Sequence, residues 1–219
     1  MPAFVFLEIT DRNLNFLFSA IAQAVYGKGP GQPTHLTIRG PYAGRVPDGV
    51  VRHCRSVLAH DVLRIADVGR FRNASEEVVF LRVDSPNLRK IWWKPDYPIS
   101  KFGFNPHISL YRGEDIALAE ALELFFRHEG VELFCAEFRL VSAITRQQEM
   151  LVPPIPMSLL PFHSILNGKI RENLLSRLDV VITRVRRRSA QTISEHSSGA
   201  GAQPNDAPDA NGAPHGRRR

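Results

Sequence analysis

Two short segments of the chain carry the same set of residues able to transfer protons and bind phosphate. The first, QPTHLTIRGP, spans residues 32–41, and the second, NPHISLYRGE, spans residues 105–114. Each has a histidine, an apolar residue, a hydroxyl residue and a second apolar residue, with Arg and Gly close behind. One His-x-Ser/Thr tripeptide is weak evidence in a chain with eight histidines. Two copies with apolar residues at both spacer positions indicate a repeated functional motif.

Strand geometry explains the spacing within each motif. Side chains of a β-strand alternate between two faces, so each segment would have an apolar back and a polar front. Arg112 falls on the apolar side of a regular strand, although a β-bulge would turn it to the polar side. The residues predicted to share a polar face are His35, Thr37 and Arg39 in the first segment and His107, Ser109 and Tyr111 in the second.

Two imidazoles and two hydroxyl groups in one groove suit the hydrolysis of a phosphodiester. Histidine titrates at about pH 6.5, so one ring can take a proton from the attacking water while the other protonates the leaving oxygen. Thr37 and Ser109 can donate hydrogen bonds to phosphate oxygens, and Arg39 can balance the charge. Tyr111 can stack on a base or sugar. Asp and Glu are absent between each histidine and its arginine, so we expect no metal ion and no other cofactor.

Strand and helix patterns are mixed along the rest of the chain. Apolar periodicity predicts strands at 3–9, 35–42, 62–71, 77–84 and 107–111, one strand or a hairpin at 131–144, and helices at 13–26, 47–60, 87–93, 115–128 and 165–178. Residues 95–104 are predicted to form a loop. Some strands are adjacent and others alternate with helices, which predicts an α+β fold rather than a regular parallel sheet.

Composition and charge predict one domain followed by a tail. The chain has 219 residues, of which 43% are hydrophobic and 23% charged, enough to bury a core. Of the net charge of +6, residues 184–219 contribute +4, because seven arginines there oppose three acids. The body is therefore not a strongly basic nucleic-acid module. We predict a domain over residues 1–183 and a disordered tail over 184–219, whose arginine cluster is either a solvated helix end or a handle for a polyanion.

Other features bear on compartment and partners. Cys54 and Cys135 form no CxxC pair, which indicates neither a zinc framework nor a disulfide scaffold. No apolar run approaches the ~18–20 residues of a membrane span. The N-terminal segment lacks a basic flank and resembles a strand more than a signal peptide. We expect a cytoplasmic monomer that has no membrane partner.

The paired His motifs resemble those of the 2H phosphoesterase superfamily. The string KPDYP at 94–98, followed by FNPHISLYRG at 104–113, is similar to a bacterial branch described as 2'-5' RNA ligase or RNA 2',3'-cyclic phosphodiesterase. The resemblance covers roughly residues 3–145 and implies a bilobal fold, with two pseudo-symmetric lobes and antiparallel sheets around a central cleft. It also implies a catalytic tetrad of His35, Thr37, His107 and Ser109, in which His35 is commonly the acid and His107 the base.

The implied activity is metal-independent hydrolysis of a 2',3'-cyclic phosphate, on an RNA end or a small nucleotide, to a 2'-phosphomonoester. Two alternatives stay open. A ligase would join RNA ends with the same pair of histidines, because microscopic reversibility exchanges their roles. A binding module would hold a nucleotide or RNA end without cleaving it. Ser109 stands where the family more often has Thr, a change that keeps the hydroxyl group.

Overall fold

A computed structural model describes residues 2–29, 33–92, 105–142, 149–151 and 168–198 of the chain. The KPDYP string, the predicted loop at 95–104 and the last part of the predicted tail, from residue 199 onward, lie outside the described residues. The strands are β1 (Pro2–Ile9), β2 (His35–Ala43), β3 (Leu63–Asn73), β4 (Glu76–Asp84), β5 (His107–Gly113), β6 (Leu133–Cys135), β7 (Phe138–Ser142) and β8 (Glu149–Leu151). The helices are α1 (Arg12–Tyr26), α2 (Asp48–Leu58), α3 (Pro86–Ile91), α4 (Ile116–Glu129) and α5 (Gly168–Ser198).

The described strands form two antiparallel sheets, which confirms the predicted α+β class. The first sheet has the order β2-β1-β7-β8 and the second the order β5-β4-β3-β6. The strands that carry the two motifs, β2 and β5, are therefore edge strands, and they contact each other where the sheets meet. Within the described part of the chain, each motif strand therefore has one edge without a sheet partner.

The predicted strand or hairpin at 131–144 is neither. Its two halves form β6 and β7, which belong to different sheets: β6 pairs with β3, and β7 pairs with β1. The segment thus links the two sheets along the chain. Backbone amides of Thr10 and Asp11 donate to the carbonyl of Glu137, which holds the crossing point against the end of β1.

Helices cover the apolar sides of the sheets. In β1, alternate residues such as Val5 and Leu7 are fully buried, and those between them are half-buried. Helix α4 packs on β3 and β4, α3 contacts β2, and α5 packs against both α1 and α4. Helix α1 begins where the Asp11 carboxylate accepts hydrogen bonds from two amides of the first turn and ends at Gly27, whose φ is 70°.

The predicted boundary at residue 184 is wrong for residues 184–198, which continue α5. The apolar spacing that buries Leu178 and Ile182 extends to the partly buried Val185, so the helix keeps a packed face beyond the predicted end. The Arg186 guanidinium donates to the carbonyls of Ala24 and Val25 at the end of α1. Part of the arginine cluster therefore joins two helices. No helix among the described residues is long and apolar enough to cross a bilayer.

Candidate active site

In the first motif, the histidine ring contacts a side chain of the neighbouring strand and a backbone carbonyl of the preceding segment. On β2, His35 lies opposite Glu8 of β1, and Thr37 lies opposite Phe6. The Phe6 ring meets the imidazole edge-on, with 5.1 Å between ring centroids. Nδ1 of His35 lies 2.9 Å from the carbonyl oxygen of Pro33. Because a carbonyl can only accept, Nδ1 carries the hydrogen, and the neutral ring has its lone pair on Nε2.

The second motif repeats this construction. On β5, His107 lies opposite Arg82 of β4, and Ser109 lies opposite Phe80. The Phe80 ring lies 4.8 Å from the imidazole, measured between centroids. Nδ1 of His107 donates to the carbonyl of Asn105 over 2.7 Å. Both histidines therefore hold their hydrogen on Nδ1 when neutral and have the lone pair on Nε2.

The sequence contains a signal for these partner strands that the motif comparison missed. Residues 5–8 read VFLE and residues 79–82 read VFLR. Each tetrapeptide pairs with the His segment of its own sheet in the same register. The repeated unit is thus a pair of strands rather than a single motif, and it places a phenylalanine against each imidazole.

Arg39 does not share the face of His35 and Thr37, contrary to the prediction. The pairing steps from Thr37 opposite Phe6 to Arg39 opposite Val5, so β2 has one extra residue there. This bulge turns Arg39 toward the core, where only 6% of the residue is exposed. Its Nε donates to the Tyr42 hydroxyl and its Nη1 to the carbonyl of Ile91, each over 2.6 Å. Arg39 links β2 to the end of α3.

A bulge at the matching position of β5 overturns the prediction for Tyr111. The pairing steps from Ser109 opposite Phe80 to Tyr111 opposite Val79. Tyr111 is only 5% exposed, and its ring stacks on Tyr26 with 6.1 Å between centroids. It is a core residue on the side away from Ser109.

The same bulge brings Arg112 to the side of Ser109, the alternative that the sequence left open. Its side chain is 58% exposed, and Nε pairs with Glu76 over 2.6 Å. Its backbone amide donates to the hydroxyl of Tyr26 over 2.7 Å. Arg112, and not Arg39, is therefore the motif arginine that is exposed on the side of Ser109.

A cleft of about 620 Å³ joins the two motifs. His35 from the first motif and Ser109 from the second both line it, together with Arg112. Its other wall comes from the end of α1 and the residues after it, including Tyr26 and Lys28. Thr37 and His107 lie on the same two strands but are not among the residues that line this cleft. The sequence did not predict that Tyr26 and Lys28 line the cleft, because the residue pattern at the end of a helix does not show which other element it faces.

His107 is the more enclosed of the two imidazoles. The Phe71 and Phe80 rings flank it, with centroids 5.6 and 4.8 Å away. The Phe80 ring packs directly on Gly69, where an added Cβ would lie 2.5 Å from the ring. Burial lowers the pKa of His107, and the hydrogen bond to Asn105 opposes this effect only in part. The neutral imidazole is thereby favoured.

Among the residues described, no group of three or more His, Cys, Asp or Glu side chains could hold a metal ion. No protein-family model matches the chain, and no curated protein matches it.

Proposed function

We propose that the protein is a phosphodiesterase of the 2H type, which opens a 2',3'-cyclic phosphate to a 2'-phosphomonoester. The substrate would be an RNA end or a small nucleotide. One observation carries this proposal. His35 and His107 are bound in the same way, each through Nδ1 to a backbone carbonyl, on two edge strands that contact each other. In each, Nδ1 is occupied by a backbone carbonyl and Nε2 is left for proton transfer. The two sheets would then be the two lobes of the bilobal fold.

The proposed reaction uses His107 as base and His35 as acid. The oxygen of a water molecule bonds to phosphorus while the bond from phosphorus to O3' breaks. Nε2 of His107 takes a proton from that water, and Nε2–H of His35 gives a proton to O3'. Exchange with solvent then restores both protonation states. Because burial lowers the pKa of His107, this ring is the better candidate for the neutral base.

The hydroxyl and arginine groups would bind the phosphate itself. Thr37 and Ser109 are exposed and lie two residues after their histidines, on the same faces. Their hydroxyls can donate to the non-bridging oxygens. Arg112 lines the cleft beside Ser109 and can balance the charge that grows in the transition state.

Product analysis tests the proposal directly. The purified protein is incubated in EDTA with a nucleoside 2',3'-cyclic monophosphate and with a short RNA that ends in a cyclic phosphate. We expect a 2'-phosphate product, and a loss of at least about 100-fold in turnover for His35→Ala and for His107→Ala. His53→Ala is the matched control, since His53 is an exposed residue of α2.

Four results would overturn the proposal. Near-normal turnover in both His variants would exclude the two-histidine mechanism. Loss of activity in EDTA that a divalent ion restores would show that a metal takes part. Recovery of intact ligand from a stable complex would indicate a binding module, and lengthening of labelled RNA would indicate a ligase.

A further inference from the structure

A second cleft, of about 450 Å³, lies beside His107 on the second sheet. Asn105, whose carbonyl holds the His107 ring, forms part of its wall. This cleft is therefore next to the proposed reaction centre. Its charged lining residues are Arg64, Arg82 and Arg89, with Asp67 and Asp84.

Arg82 is the cation of this cleft without a counter-ion among the described residues. Arg64 pairs with Glu132 over 2.5 Å and with Asp67 over 3.3 Å. Arg89 pairs with Asp84 over 2.8 Å. Arg82 is exposed, and it makes no ion pair or side-chain hydrogen bond within the part of the chain that the structure describes.

The register places Arg82 within reach of a ligand at His107. The two residues are direct cross-strand partners, so their side chains leave the same face of the sheet with Cβ atoms about 4.5–5.5 Å apart. The matching position in the first sheet is Glu8, opposite His35, and its carboxylate pairs with Arg139 over 2.6 Å. The repeat thus has a cation beside one histidine and an acid beside the other.

We propose that Arg82 binds a second phosphate of the substrate, attached at the 5' oxygen of the nucleoside that carries the cyclic phosphate. This inference rests on the proposed function. A guanidinium holds phosphate through charge-assisted, often bidentate hydrogen bonds. The preferred substrate is then an oligonucleotide end or a 5'-phosphorylated nucleotide, and a nucleoside 2',3'-cyclic monophosphate without a 5'-phosphate is a poorer one. In this arrangement the nucleotide chain of the substrate runs from the cyclic phosphate toward the second sheet.

The kinetic test compares Arg82→Gln with Arg52→Gln, which removes the same charge from an exposed position on α2. The substrates are a nucleoside 2',3'-cyclic monophosphate, its 5'-phosphorylated form and a trinucleotide ending in a cyclic phosphate. We expect R82Q to lower kcat/KM about 10- to 100-fold on the two substrates with a second phosphate. On the cyclic monophosphate, R82Q should stay within about 3-fold of wild type. R52Q should match wild type throughout.

The substrate panel separates the possible sources of the second phosphate. A loss on both phosphorylated substrates means that a terminal phosphate is enough, and a loss on the trinucleotide alone means that an internucleotide phosphate is read. Equal losses on all three substrates would refute the proposal, because Arg82 would then act on His107 or on the fold. No change on any of them would refute it as well.

A binding measurement keeps this inference separate from the proposed function. Fluorescence anisotropy follows a labelled trinucleotide that ends in a 2'-phosphate, which requires no turnover. We expect the Kd of R82Q to rise about 10-fold or more relative to R52Q, with a weaker dependence on salt. An equal Kd for the two variants would refute the role of Arg82. Absence of turnover in the wild type would instead refute the phosphodiesterase.

Discussion

Replacing Arg39 by Met should damage the fold and spare the chemistry. Arg39 is 6% exposed, and its guanidinium donates to the Tyr42 hydroxyl and to the carbonyl of Ile91. Methionine keeps much of the apolar stem but makes neither hydrogen bond. Tyr42, itself only 7% exposed, then lacks this donor, as does the end of α3.

The expected loss follows from these two bonds. An acceptor left without its partner in a buried place costs about 1–3 kcal/mol, so two of them cost about 2–6 kcal/mol. Removing the buried charge returns part of this, since the guanidinium was also costly to bury. We therefore expect the free energy of unfolding of R39M to fall by about 3 kcal/mol. For a chain of this size, that corresponds to a Tm lower by about 6–12 °C.

Arg112→Met is the matched variant, with the opposite expectation. Its side chain is 58% exposed and its ion pair with Glu76 lies at the surface, so the stability should change by less than about 1 kcal/mol. Because Arg112 lines the cleft, kcat/KM on a cyclic phosphate should fall about 10-fold. R39M should keep kcat/KM within about 3-fold of wild type, measured well below its Tm.

Thermal unfolding and steady-state kinetics of the Arg39→Met and Arg112→Met proteins test whether each arginine acts in the fold or at the cleft. An R39M protein with wild-type Tm and lost activity would refute this reasoning, because it would show that the Arg39 side chain acts at the reaction centre and not in the core. If R39M does not fold, Arg39→Lys serves instead, because it keeps the charge and one donor. Loss of activity in R39K at unchanged Tm would contradict the reasoning in the same way.

Two further predictions concern pH. Burial raises the pKa of Asp61, which accepts a hydrogen bond from Ser85 over 2.5 Å. The folded state then binds this proton more tightly than the unfolded state, so stability should fall as pH rises through the folded pKa. Asp61→Asn should remove that slope in urea unfolding followed from pH 4 to 7, and an unchanged slope would assign it to another group. The pH dependence of kcat/KM should be bell-shaped, with its acid limb below about pH 6.5 because the pKa of His107 is lowered. A flat profile from pH 5 to 9 would exclude the paired histidines.

The sequence predicted the class of fold and the two matching His motifs. It predicted the wrong face for side chains that follow an irregularity in a strand. Period-two alternation correctly placed Thr37 and Ser109 on the faces of their histidines. One extra residue in each strand then places the side chains of Arg39 and Tyr111 on the opposite face from the predicted one. A bulge adds one residue to one strand of a pair, so period-two alternation alone does not predict the faces of the residues beyond it.

The continuation of α5 beyond residue 183 was not predicted, for a different reason. The sequence left the arginine cluster at 184–188 as either a solvated helix end or a handle for a polyanion, within a tail predicted to be disordered over residues 184–219 because its composition is polar. Helix α5 nevertheless continues through it, since Ile182 and Val185 still pack and Arg186 caps the carbonyls at the end of α1. Long polar side chains at a helix edge can bond to a neighbouring helix, which composition alone does not reveal.

The difference between the two histidines must come from their surroundings, because their own construction is the same. Each has Nδ1 bonded to a carbonyl and a phenylalanine ring beside it. His107 has a second ring, that of Phe71, with its centroid 5.6 Å away. Burial lowers the pKa of His107, and Phe71 supplies part of that burial. Removing this ring should therefore raise the pKa of His107 and move the acid limb of kcat/KM to higher pH.

Phe71→Ala tests this assignment, with Phe4→Ala as its control. Phe4 is the aromatic residue in the first sheet that stacks on Phe6, 5.9 Å between centroids, and it leaves the second sheet untouched. NMR titration of the His107 ring should show a higher pKa in F71A than in wild type and no change in F4A. If F71A shifts neither the titration nor the acid limb, the enclosure of His107 does not set its role, and the division of acid and base between His35 and His107 has to come from another part of the groove.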